Sequence, residues 1–181
     1  MVDHKTNTLV AYFSHAGQNY ANGKIVDLAK GNTELAAERI AAWTGGELFE
    51  IKALKDYPVI YNECTDVAKQ ELRANSRPEL IETIDVSGYD AIILGYPNWW
   101  GTMPMPVWTF LEGQRFVGKT LLPFCTHEGS GMGNSEHALK KLCPNATIRA
   151  GLPLHGSSVS SAGAAIRQWL QQNLGQGEKP L

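Results

Sequence analysis

Ser14-His15-Ala16-Gly17 and, further along, Asn32-Thr33 bring together two hydroxyls, a side-chain amide and the opening of a helical pattern. The first backbone N–H groups of a helix have no intrahelical acceptor, and with the helix dipole they favour an anion. These residues therefore suit a phosphate. They lack the G-x-x-x-x-G-K-[ST] arrangement whose lysine grips a triphosphate chain, so a monophosphate suits them better. Taken alone, they also fit an ordinary Asn or Thr helix cap behind a hairpin-bearing loop.

Tyr96-Pro97-Asn98-Trp99-Trp100-Gly101-Thr102 places two indoles in a loop punctuated by proline and glycine, where no regular face can bury both. One of Trp99 and Trp100 is expected to pack on the body of the protein, and a stacked planar cofactor accounts for the pair. Thr126-His127-Glu128-Gly129-Ser130-Gly131 is too small and polar to build a core, but its backbone can approach the polar edge of a heterocycle. Gly129 and Gly131 serve equally as turn glycines, and His127 and Glu128 as solvated side chains.

Strands and helices alternate around these segments. Residues 8–13, 90–95 and 119–125 are short apolar runs of buried strands, 47–51 alternates as an edge strand does, and a fifth strand falls near 147–154. Helical spacing covers a segment capped at Asn32 or Thr33 and stopped by Gly45-Gly46, then 62–75, 107–112, 135–142 and 162–174. Residues 18–31 exceed the usual βα loop of ~2 to 6 residues and contain a possible extra strand at 24–28.

Such alternation implies an α/β fold with a parallel sheet covered by helices on both faces. In the strand order 2-1-3-4-5, the carboxyl ends of the first, third and fourth strands adjoin, so the three unusual loops form one crevice. One domain is expected over residues 1–181, with polar tails at 1–7 and 175–181.

Composition narrows the partners. Sixteen basic residues against eighteen acidic ones give a net charge of -2, which draws the chain to neither nucleic acid nor an anionic membrane. The content of 43% hydrophobic and 19% charged residues belongs to a globular protein rather than a disordered one. Cys64, Cys125 and Cys143 are odd in number and lack C-x-x-C spacing, so reduced thiols are expected, with no disulfide framework and no metal site. The opening residues 1–7 lack the apolar core of a signal peptide, and no run approaches the ~18 apolar residues of a membrane span; a cytoplasmic location is the expectation.

The chain resembles the flavodoxin-like FMN proteins, specifically a bacterial branch with a Gly-Asn-Thr helix start, Tyr-Pro-Asn-Trp-Trp-Gly and Thr-His-Glu-Gly-Ser-Gly, here at residues 31–33, 96–101 and 126–131. The resemblance covers nearly the whole chain. It implies a flavodoxin-like three-layer sandwich with a five-stranded parallel sheet of order 2-1-3-4-5, and FMN bound without a covalent link. By position, Ser14, His15 and Ala16 with Asn32 and Thr33 should hold the phosphate. Pro97, Asn98, Trp99, Trp100 and Gly101 should line the isoalloxazine, and Thr126, His127, Glu128, Gly129, Ser130 and Gly131 its other side. The family commonly runs Ser-x-Thr-Gly-Asn-Thr without interruption, whereas an insertion with Gln18, Asn19 and Tyr20 intervenes here; Gly17 and Asn19 are its expected phosphate contacts.

Flavin would supply the redox chemistry, and no catalytic side chain is required. Gly101 is the candidate for backbone adjustment near the flavin N5, Glu128 for disfavouring negative charge on the reduced ring, and His127 for hydrogen bonding or proton donation. Two functions follow: electron transfer to a redox partner protein, or NAD(P)H-dependent FMN oxidoreductase activity that reduces quinones or nitroaromatics as small-molecule electron acceptors. No G-x-G-x-x-G turn for a nicotinamide is present, and a charge of -2 differs from the strongly acidic carriers of the family. A third reading gives the crevice another phosphorylated ligand.

Overall fold

The computed structural model describes residues 6–175. Of the expected polar tails, residues 1–5 and 176–181 lie outside the described residues. Asn7 is already tied in: its amide donates to Asp90 Oδ2 at 2.9 Å.

The strands are β1 (Thr8–Tyr12), β2 (Gly17–Ala21), β3 (Lys24–Leu28), β4 (Glu47–Glu50), β5 (Ala91–Pro97), β6 (Thr120–His127), β7 (Thr147–Ile148) and β8 (Leu152–His155). The helices are α1 (Asn32–Thr44), α2 (Tyr61–Arg73), α3 (Met105–Glu112), α4 (Ser135–Leu142) and α5 (Gly163–Leu174). The main sheet runs β4-β1-β5-β6-β7, all parallel, with β8 also pairing β6. Counting only these parallel strands in chain order, and β7 with β8 as one, the order is 2-1-3-4-5.

Why the runs stay buried is visible in the alternation along β1. Leu9, Ala11 and Phe13 join Leu94, Tyr96, Val107, Phe110 and Leu139 in a core under α3 and α4. Val10 and Tyr12 join Ile93, Phe124, Ile40, Ile166 and Trp169 under α1 and α5. A strand with neighbours on both faces has no polar side to show, which is why its sequence is continuously apolar. Gly95 is required where Phe124 crosses it, since a β-carbon there would fall 2.1 Å from the phenyl ring.

Three boundaries differ from expectation. The helix start at α1 is capped neither by Asn32 nor by Thr33: Gly31 is the cap residue, and Ser14 Oγ from the preceding loop accepts the Glu34 amide at 3.1 Å. The strands β5 and β6 continue to Pro97 and His127, so these residues and Thr126 are strand ends rather than loop. The fifth strand is broken: β7 pairs with Thr120 and Leu121, and β8 with residues 124–127. Pro153 lies in β8 at the sheet edge, where a residue without an N–H is tolerated.

The long insertion is a β-hairpin of β2 and β3 in a two-stranded sheet of its own. Asn22 and Gly23 make its turn with φ of 49° and 80°. Two consecutive positive φ values are what a type I′ hairpin turn demands, and Asn-Gly is the pair that best supplies them. Among the described residues, no helix is long and apolar enough to cross a membrane.

Candidate functional site

A cleft of about 520 Å³ opens at the carboxyl ends of β1, β5 and β6. A shallow polar hollow of about 560 Å³ lies at the opposite end, around Asn7, Glu47 and Tyr89. The three loops singled out in the sequence meet at the cleft. Of the residues expected there, Ala16, Gly17, Gly101, Gly129 and Gly131 do not line it, and the others do.

The start of α1 lines the cleft through Asn32 and Thr33. Its first amides lack intrahelical acceptors. Ser14 Oγ accepts from Glu34, which leaves the hydroxyl hydrogen free to donate. Thr33 and Thr126, both buried, share a hydrogen bond of 2.7 Å between their hydroxyls. Gly31 permits the loop after β1 to lie close against the helix start, because a β-carbon would fall 2.2 Å from Ser14 Oγ and 2.6 Å from the His15 carbonyl oxygen. Asn19 Nδ2 donates to the carbonyls of His15 and Gly17, both at 3.1 Å, and so shapes the loop from within. Gly17 acts in the backbone: its φ is 86°, and a β-carbon would fall 2.7 Å from Val59.

His15 donates from Nε2 to the Pro58 carbonyl at 3.0 Å, since a carbonyl can only accept. Burial holds its pKa below the ordinary imidazole value, against the pull of that carbonyl.

The two tryptophans, which also line the cleft, divide their work. Trp99 is the one packed on the body, edge-on to Tyr57, Phe13 and His15 at centroid distances of 5.0, 5.2 and 5.9 Å. Trp100 is 49% exposed and leans on α2, its Nε1 donating to the Thr65 carbonyl at 2.9 Å and Lys69 Nζ lying 4.8 Å from its ring. Trp99 and Thr102 exchange backbone hydrogen bonds of 3.0 and 3.2 Å around a turn whose centre is Trp100 at φ 54° and Gly101 at φ 82°. A tryptophan at positive φ is strained.

Asn98 ties this turn to the segment after β6. Its Oδ1 accepts the Gly101 amide and its Nδ2 donates to the Gly131 carbonyl, both at 2.9 Å. His127 Nδ1 accepts the Gly129 amide at 2.9 Å, so the neutral ring carries its proton on Nε2. Burial lowers the His127 pKa, reinforced by His155 beside it.

Glu128 turns away from solvent to the amides of Ser157 at 2.7 Å and Asn22 at 3.1 Å. Burial alone would raise its pKa, but hydrogen bonds from Ser157 and Asn22 outweigh that, and the net direction is down.

One whole wall escaped sequence reasoning. Tyr61, Cys64, Thr65 and Ala68 of α2, Gln18 and Tyr20 of the hairpin, and Gly156 also line the cleft. Gln18 Oε1 accepts the Tyr61 amide at 3.0 Å and so caps α2, while Tyr20 lies 6.4 Å from Tyr61. The Asn22-Gly23 pair was the available signal for the hairpin; nothing local marks α2 as a wall. Cys64, Cys125 and Cys143 are free and buried, and desolvation raises the Cys64 thiol to about 12, which makes it inert.

A parallel sheet wrapped on both faces, with its cleft at the carboxyl ends of the central strands, defines a doubly wound α/β protein with a ligand crevice at the switch point. The flavodoxin family profile matches residues 7–173, and the chain belongs to the flavodoxin family. Candidate flavoproteins of known structure from Bacteroides eggerthii and Bacteroides uniformis are similar throughout. The first is 32% identical over 93% of this chain and 98% of that one, with a TM-score of 0.73. The second is 30% identical over 90% and 98%, with a TM-score of 0.70. A Lactobacillus acidophilus flavoprotein crystallised with FMN shares the fold at 22% identity, over 86% and 97%, with a TM-score of 0.61. No curated protein sequence matches the chain.

Proposed function

We propose that this protein binds FMN non-covalently in the cleft and passes electrons through it between redox partners, either a protein or a small-molecule acceptor. One observation carries the reading: the helix start with its Ser14 and Thr33 hydroxyls and the Trp99–Trp100 pair line one and the same cleft of about 520 Å³. That volume lies within the usual range of ~300 to 1,000 Å³ for small-molecule sites.

The donor set fits the group. No lysine or arginine lines the cleft among the described residues, so the phosphate charge is met by backbone amides and hydroxyls, as helix N-termini do elsewhere. Ser14 donates its free hydrogen to the phosphate, and Asn32 and Thr33 present first-turn amides. Trp99, braced by Tyr57 and Phe13, offers a rigid indole to the ring, and Trp100 closes the side next to α2. The backbone of residues 126–131 faces the polar edge of the ring, with His127 Nε2–H as a further donor. FMN, when bound, accepts and returns electrons one or two at a time. The chain holds it, shields it and sets the hydrogen bonds around it.

The test is the visible spectrum of the purified protein before and after adding FMN, followed by anaerobic titration. Flavin absorption that co-migrates with the protein, bleached by dithionite and only slowly by NADH or NADPH, is the expected result. Rapid bleaching by a nicotinamide would instead establish the reductase. Failure to take up any flavin would overturn the reading.

A further inference from the structure

Glu128 belongs to a closed circuit around the start of α1. Its Oε2 accepts the Asn22 amide at 3.1 Å, in the turn of the β2–β3 hairpin. Its Oε1 accepts both the amide and the hydroxyl of Ser157 at 2.7 Å. Gly156, next to Ser157, touches both sides of the gap: a β-carbon there would fall 2.6 Å from Asn32 Nδ2 and 2.8 Å from Glu128 Oε1. At its other end the hairpin is fixed by the Gln18 amide donating to the Val59 carbonyl at 3.0 Å, and Gly17 leads directly back toward Ser14, which caps α1.

The circuit runs from Asn32 through Gly156 and Glu128 to the hairpin turn, then along the hairpin to Ser14 and α1 again. A carboxylate beside an anion cradle is electrostatically unfavourable there. Its three donor groups from Ser157 and Asn22 hold it aside, and they also join two segments separated by more than a hundred residues in the chain. Without Glu128, no other side chain in the described structure bonds to the Asn22 amide.

We infer that Glu128 latches the hairpin across the phosphate end of the cleft, so that the site accepts a flavin ending in a phosphate monoester and rejects a flavin dinucleotide. A monoester keeps its terminal oxygens inside the ring. A dinucleotide has to thread its chain out past the phosphate, through the gap that the Glu128–Asn22 contact closes. Glu128 is thus a positioning residue for specificity, and the inference rests on the FMN reading.

The experiment measures Kd for FMN, FAD and riboflavin by flavin fluorescence on the full chain and on the variants Glu128→Ala, Glu128→Gln and Ser157→Ala. The full chain should prefer FMN over FAD by ~100-fold or more, and Glu128→Ala should lose at least ~10-fold of that preference, mainly by gaining affinity for FAD. Glu128→Gln keeps an oxygen for the Asn22 amide and should retain most of the preference. Ser157→Ala, a milder change, should shift the ratio in the same direction as Glu128→Ala. In the flavin-free protein, hydrogen exchange at the Asn22 amide should speed up in Glu128→Ala and not in Glu128→Gln. Equal affinity of the full chain for FMN and FAD, or equal losses for both flavins in Glu128→Ala and Ser157→Ala, would overturn the latch while leaving FMN binding intact. No binding of any flavin by the full chain would overturn the FMN reading itself.

Discussion

The hydroxyls of Thr33 and Thr126 lie 2.7 Å apart, both buried, and join the first turn of α1 to the end of β6. The bond couples the helix start that lines the cleft to the strand whose following segment lines it too. Removing one partner strands the other without a hydrogen bond, at a cost of ~1 to 3 kcal/mol, whereas removing both leaves nothing unpaired. Thr33→Val and Thr126→Val should each destabilise the protein by that order, and the double variant by clearly less than the sum. Urea unfolding of the four proteins forms the cycle, and strict additivity would show that the bond carries no coupling.

Gly31→Ala places a methyl group 2.2 Å from Ser14 Oγ and must push the loop off the helix start. If the phosphate sits there, FMN affinity should fall by ~10-fold or more while riboflavin, which has no phosphate, changes little. Fluorescence titration of both flavins decides it; equal losses would place the phosphate elsewhere.

Trp99 and Trp100 should respond unequally to truncation. Trp99→Ala removes an indole braced by three aromatic rings and should cost several kcal/mol, toward the ~3 to 5 kcal/mol of a large core truncation. Trp100→Gly loses a half-exposed ring but releases a strained positive φ, worth ~1 to 3 kcal/mol, so stability should change little. Chemical denaturation separates the two. Greater damage from the Trp100 change would reverse the assignment of the packed indole.

His15 and Glu128 predict two acid-side losses of stability. The His15 pKa is lowered in the fold, so as pH falls the unfolded chain takes up the proton first; stability is full above the ordinary value of ~6.5 and declines below it. His127 acts in the same direction. The Glu128 pKa is also lowered, so its contribution is present above the ordinary carboxylate range and is lost as pH falls through its folded value. Urea midpoints against pH should therefore show His15→Gln flattening the upper decline and Glu128→Gln the lower one. An unchanged profile in either variant would remove that residue from the account.

How much of this was legible beforehand follows from the range of the forces involved. Continuous apolar runs such as residues 8–13 reveal strands because a central parallel strand is buried on both faces whatever surrounds it. Helical spacing, glycine stops and the alternation of elements are equally local, so a parallel sheet could be read from the chain, whereas its order, and with it the meeting of three loops, is what the resemblance to the flavodoxin-like proteins implies. The Asn22-Gly23 pair also announces a hairpin to any reading that looks for it.

What only the tertiary structure decided was which group satisfies which. The amides at the starts of α1 and α2 are met by Ser14 and Gln18, both from the segment after β1, rather than by residues at the helix starts themselves. Glu128, read as facing a flavin ring, is turned to Asn22 and Ser157. Trp99 rather than Trp100 became the packed indole because Phe13 and Tyr57 reach it from elsewhere in the chain. A side chain's propensity is local, but its hydrogen-bond partner and its packing neighbours are set by long-range contacts, and these carry no periodicity in the sequence.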